Sequence, residues 1–151
     1  MDQIRQILKT EESFSPFVLR IVLGIVIFPH GAQKVLGWFG GHGLQGTLGF
    51  FTQKMGLPMP LALLVIAGEF LGSMALISGL LTRISAAGMF AIMTGAIATV
   101  HVGNGFFMNW TGKQAGEGFE YHLLVMGMAV ALMIAGGGKY SLDQQILKFL
   151  K

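Results

Sequence analysis

The chain has no cysteine, and only 11% of its 151 residues are charged. The first absence removes thiol–disulfide relays, thiolate-ligated clusters and cysteine-based zinc sites from consideration. The second is most severe in the run Leu61–Leu81, where the only polar side chains are Glu69 and two serines. A helix in water needs a polar face, and this run has almost nothing to turn outward. Proline is also rare, at 4 residues, which leaves long stretches free to continue as uninterrupted helix.

What is present is apolar: 53% of residues are hydrophobic and the mean hydropathy is +0.67. Four runs approach bilayer length, Pro16–Leu36, Leu61–Leu81, Ile84–Val102 and Phe119–Gly137. About 20 helical residues cross a hydrocarbon core of about 30 Å. The expected fold is therefore an all-α membrane protein, a four-transmembrane-helix bundle forming a single domain over residues 1–151. In the segment Met1–Ser15, Ile4, Ile7 and Leu8 share one helical face, which predicts a short interfacial helix. Ser15 then reads as an N-cap, with Pro16 at the first helical position. At the other end Gly136-Gly137-Gly138 breaks the last run. Ser141 is placed to cap a second interfacial helix striped by Leu142, Ile146 and Phe149 or Leu150. The first outer loop, Gly37–Pro60, spaces Leu44, Leu48 and Phe51 for a third. Aromatic residues crowd both outer loops (Trp38, Phe39, Phe50, Phe51; Phe106, Phe107, Trp110) as a belt at headgroup level or a lid. Gly68 and Gly72 predict a close helix–helix approach.

The net charge of +3 matters less than its placement. With an even number of spans, Arg5, Lys9, Arg83, Lys139, Lys148 and Lys151 fall on one side, with Arg20 just inside the membrane. Lys34, Lys54 and Lys113 fall on the other. Short Lys/Arg-rich loops stay cytoplasmic, so both termini are expected inside the cell. The bias explains orientation, and nothing in it points to nucleic acid. The first fifteen residues are mixed polar and the first apolar run is span-length, so no cleavable leader is expected.

Ionisable residues inside spans are costly and mark functional sites by default. At about 1.5 Å rise per residue, His30 lies about 9 Å and Glu69 about 12 Å below the outer boundary. His101 sits at the outer end of the third span, and Glu120 and His122 at the outer start of the fourth. His30 and Lys34, four apart, share a face. The preferred pairings are Glu69 with His30 or Lys34, and Glu120 with His101. Arg20 is expected to snorkel toward the cytoplasmic interface, the alternative being a reach upward to Glu69. Three readings of the cluster remain open: internal ion pairs that only fix helix register, a headgroup-level quinone pocket where imidazole and carboxylate hold carbonyl oxygens and pass protons, or a proton or small-solute pathway. Scattered histidines make weak haem evidence, and no local spacing motif supports a metal site.

The segment His30-Gly31-Ala32-Gln33-Lys34-Val35-Leu36-Gly37-Trp38-Phe39-Gly40-Gly41, preceded by Arg20, resembles the most recognisable stretch of the DoxX family of small bacterial membrane proteins. Gly56-Leu57-Pro58 with Pro60, Gly68-Glu69 with Gly72, and Gly79-Leu80-Leu81-Thr82-Arg83 continue the likeness. So do His101, Gly105-Phe106-Phe107, Gly118-Phe119-Glu120-Tyr121, and Gly138 with Ser141-Leu142-Asp143. The resemblance covers nearly the whole chain, and the motifs are specific jointly rather than singly. It implies a four-helix inner-membrane protein. The family name comes from a membrane component linked to thiosulfate:quinone oxidoreductase, and other members are associated with redox stress. Without cysteine, any such role here cannot use protein thiols. The expectation is a redox-associated subunit binding a quinone or other lipid-soluble ligand in an outward-facing polar pocket of His30, Lys34, Glu69, His101 and Glu120. Its surroundings would be the bilayer and a membrane or periplasmic redox partner. A proton or small-solute transporter and a non-catalytic scaffold are the alternatives.

Overall fold

A computed structural model describes residues 2–150, and among them every regular element is helical. In chain order the helices are α1 (Asp2–Leu8), α2 (Phe14–Leu36), α3 (Gly43–Gly49), α4 (Met59–Ser78), α5 (Thr82–Ala96), α6 (Glu120–Ala135) and α7 (Leu142–Phe149). A wide π turn, Phe50–Lys54, prolongs α3, and a second, Ile97–His101, prolongs α5 before a last tight turn at Val102–Asn104. Three helical stretches are long and apolar enough to cross a membrane: Phe14–Leu36, Met59–Ser78 and Thr82–Asn104. Helix α6 is apolar but shorter, 16 residues, or about 24 Å of rise. The protein is thus membrane-embedded and multi-pass. Large aliphatic side chains on the bundle's outside, such as Leu64 at 68% exposed and Leu124 at 70%, would be a liability in water and are at home against acyl chains.

Helices α2, α4, α5 and α6 run up, down, up and down, each packing on its predecessor, and α6 closes the ring against α2. Leu23, Ile27, Leu76, Met89, Val125 and Leu132 fill the centre. The closest approach is between α2 and α4, and its cause lies on α2. A Cβ on Gly24 would stand 2.9 Å from the Ser73 carbonyl oxygen, and one on Gly31 2.6 Å from the Phe70 Cα. Two glycines seven apart, on one face, let the backbones touch. The expected pair Gly68 and Gly72 does not make this contact: Gly72 faces open space and Gly68 meets only the end of the Ile92 side chain. Helix α2 also starts earlier than expected. Ser13, not Ser15, is the cap, its hydroxyl accepting from the Ser15 N–H, and Pro16 sits in the first turn, where its missing N–H costs nothing.

Both described ends of the chain lie at one end of the bundle. Arg5 donates to the Leu150 carbonyl across α1 and α7, and Ser141 caps α7 as expected, accepting from the Gln144 N–H. The stretch Gly43–Lys54 is helical as its leucine spacing predicted. Lys151 lies outside the described residues.

Arg20 does not snorkel, nor does it reach Glu69. It is 1% exposed and its five N–H groups meet five carbonyls. Nε donates to Gly137 at 2.8 Å, Nη1 to Leu76 and Ile77, and Nη2 to Lys139 and Tyr140. The last carbonyls of a helix have no intrahelical partner, and this guanidinium gathers those ending α4 together with those of the loop after α6. Asp143 acts in the opposite sense. Its carboxylate accepts from the Leu81 N–H at 2.6 Å and the Thr82 N–H at 2.9 Å, capping the N-terminus of α5. Arg83 closes the end of α6 by donating to Met133 and Ile134, with a third bond to Lys9. This arginine end is a lock across α2, α4, α5, α6 and α7.

Candidate functional site

The opposite, histidine end collects the residues that the spacing arguments singled out. Gly31 brings the backbones of α2 and α4 together at Glu69 and Phe70. Lys34, one turn further along α2, then reaches across, and its Nζ donates to Glu69 Oε2 at 2.6 Å. The Glu69 side chain is 9% exposed and that of Lys34 22%. Of the two partners expected for Glu69, Lys34 is therefore the one that bonds it. His30 contributes its carbonyl to Lys34 at 3.5 Å, and its ring lies within Coulombic reach of both Lys34 and Glu69.

On the far side of Lys34 is a shallow pocket lined by Gln33, Gly40, Gly41, His42, Thr47, Phe50 and Phe51. Its floor is the last turn of α2, and its wall is α3 with the π turn that follows. Lys34 thus both bonds Glu69 and contributes to the lining of this recess. π turns within helices recur at functional sites, and both of those seen here border this end.

The second π turn delivers His101. Its Nδ1 lies 2.8 Å from the Glu117 carbonyl. A carbonyl only accepts, so Nδ1–H is the donor in this bond. The ring lies against that of His122 of α6, tilted by 45° with centroids 4.1 Å apart. His122 is 7% exposed. The ring of Tyr121 stands edge-on beside it, with centroids 5.6 Å apart. Two of these buried polar atoms, Tyr121 Oη and His122 Nδ1, have no hydrogen-bond partner.

Glu120 does not pair with His101. Its Oε1 accepts from the Met108 N–H at 2.9 Å and the Trp110 Nε1–H at 3.4 Å, so it anchors the loop between α5 and α6. The residues drawn together are His30, Lys34, Glu69 and His101, joined by Tyr121 and His122. The signal for His122 was in the sequence. It continues the stripe Val125, Ala129 and Leu132, the buried face of α6, and a histidine on such a stripe points inward. Among the described residues no group of three or more histidine or acidic side chains is arranged to hold a metal.

Known proteins can now be set beside this geometry. A model of the DoxX family matches residues 15–102. The Bacillus subtilis (strain 168) protein named "Putative oxidoreductase CatD" is 32% identical over 131 residues, 87% of this chain and 86% of its own length. The Escherichia coli (strain K12) protein named "Inner membrane protein YqjF" is 29% identical over 144 residues, 93% of this chain and 98% of its own. No solved structure matches the chain.

Proposed function

The chain belongs to the DoxX family, and we propose that it is a redox-associated subunit binding a quinone or another lipid-soluble ligand in the polar recess at its histidine end. The observation that carries this reading is the Lys34–Glu69 pair, 2.6 Å long, whose lysine also lines a recess bordered by Phe50 and Phe51. A charged pair removed from water is kept at a cost, and here the cation also faces outward to where a ligand oxygen would arrive. Lys34 donates to that oxygen, Glu69 holds the ammonium in place, and Phe50 and Phe51 pack on the ligand's apolar body. His30 and His101 stand at the same end of the bundle as the pair, and an imidazole nitrogen can donate or accept a hydrogen bond there. Glu120 shapes the overlying loop. The name of the Bacillus relative, an oxidoreductase, agrees with this chemistry, and the name of the Escherichia relative supports placement in an inner membrane.

In this reading α6 completes a fourth crossing and the histidine end faces the periplasm. Both chain ends gather at the arginine end with Lys9, Lys139 and Lys148, as positive-inside topology requires. A scaffold role is favoured by a separate observation: the Lys34–Glu69 bond also ties α2 to α4. The two readings part in one experiment. Protein purified in mild detergent is titrated with decylubiquinone and followed by native mass spectrometry, alongside Glu69→Gln and Lys34→Met. Binding by the native chain that is lost in folded variants supports the pocket. A native chain that binds no quinone, and variants that merely unfold, return the pair to a structural role.

A further inference from the structure

Buried polar atoms are nearly always hydrogen-bonded, and each exception calls for an explanation. Among the described residues three side-chain atoms are exceptions: Thr82 Oγ1, Tyr121 Oη and His122 Nδ1. The first is a lone hydroxyl at the arginine end. The other two belong to adjacent residues in the first turn of α6, with their rings edge-on at 5.6 Å, on the inner side of the histidine end. Neither bonds the other, and neither bonds Glu69, His101 or His30, although the His101 ring centroid lies 4.1 Å from that of His122. Leaving such a group unpaired carries the full desolvation cost of that group, and a phenylalanine at either position would avoid it.

We infer that Tyr121 Oη and His122 Nδ1 form a seat for one oxygen of the ligand, a second attachment point beyond the Lys34 recess. This rests on the ligand-binding reading above. The chemistry suits a carbonyl or hydroxyl oxygen on a flat apolar body: the phenol donates to a carbonyl or accepts from a hydroxyl, and the imidazole nitrogen does either according to its tautomer. His101 is the cover. Its ring lies tilted against His122 with centroids 4.1 Å apart, and among the described residues its one hydrogen bond is an exposed one to the loop carbonyl of Glu117. Swinging it aside exposes the edge of His122 without disturbing the core stripe of Val125, Ala129 and Leu132.

The test uses the full chain in detergent, with decylubiquinone as the probe and thermal unfolding without ligand as the second readout. Tyr121→Phe removes only the hydroxyl and His122→Leu removes both ring nitrogens, whereas His122→Asn returns an amide near Nδ1. The seat predicts that Tyr121→Phe and His122→Leu bind about tenfold more weakly or worse while their unliganded unfolding temperatures stay level or rise. His122→Asn should recover part of the affinity. Unchanged affinity in both variants, with binding still dependent on Lys34 and Glu69, overturns the seat and leaves the pocket standing. Lowered unfolding temperatures with unchanged affinity also overturn it, assigning the two atoms to an internal water. A native chain with no affinity for the probe overturns the pocket reading and the seat together.

Discussion

The two ends of this bundle use the same kinds of group in opposite ways. At the arginine end, a buried guanidinium meets five carbonyls and a buried carboxylate meets two N–H groups, and among the described residues Thr82 Oγ1 is the one buried side-chain atom there without a partner. At the histidine end, one ion pair borders an open recess, two buried atoms lack partners, and the hydrogen bond of His101 is exposed. A polar network that is fully satisfied rigidifies, and one that is partly satisfied has room for something more. The difference teaches how unevenly polar groups are satisfied in a small membrane protein: one end is closed on itself, and the other is left with unpartnered polar atoms.

Breaking the closed end should have the largest effect. Arg20→Met leaves five helix-end and loop carbonyls without their donor, and the loss should be about 4 kcal/mol or more, as for breaking a buried charged network. The expected result is a steep fall in thermal stability in detergent. Arg20→Lys should restore only part, because an ammonium has three donors in place of five. A stable, native-like Arg20→Met chain would show that the lock is dispensable.

The ion pair at the open end comes next. Lys34→Met alone strands the Glu69 carboxylate and should cost about 3 kcal/mol. Lys34→Met combined with Glu69→Leu removes both charges, and buried pairs replaced by apolar residues are often neutral or stabilising. The double variant should therefore unfold near the native temperature and still fail to bind ligand. A double variant as unstable as the single one would make the pair part of the scaffold and bring the two ends closer in kind. A smaller loss, about 2 kcal/mol, is expected for Gly31→Ala, since overpacking a close contact costs about 1–3 kcal/mol. Its added Cβ would press on the backbone of Phe70 and Glu69. It should also part Lys34 from Glu69, so affinity and stability should fall together, measured by probe titration and thermal unfolding.

Legibility differed between the ends for a physical reason. Helical rise sets depth, and it brought Glu69 close to the level of His30, leaving His30 or Lys34 as its partner. The choice fell to Lys34 because its long side chain reaches back across to the carboxylate. Helix α3 could be read from its leucine spacing, and the cap of α7 from Ser141. The role of Arg20 could not. Its partners are backbone carbonyls released where α4 ends and where the chain breaks at Gly136–Gly138, and a carbonyl leaves no trace in residue identity. The glycine pair was misplaced for a related reason: Gly68 and Gly72 have the spacing of a packing motif, but rotation about α4 decides which face meets a neighbour, and that face is set by α2. Glu120 was assigned by depth to His101. The loop between α5 and α6 folds back instead, offering the Met108 N–H and the Trp110 ring closer at hand.

Glu120 therefore supplies the smallest of these tests and the one that defines the edge of the open end. Glu120→Gln keeps an oxygen to accept from Met108 and Trp110 but gives up the charge, so stability should change by under about 1 kcal/mol. Decylubiquinone affinity should stay within about twofold of native, a difference of about 0.4 kcal/mol, because the carboxylate faces the loop. Glu69→Gln, a chemically identical change 51 positions earlier in the chain, should abolish binding. Thermal unfolding and probe titration of the two variants side by side make the comparison direct. If Glu120→Gln loses affinity as Glu69→Gln does, the loop is part of the site, and the open end extends outward past His101 to the surface that Glu120 holds in place.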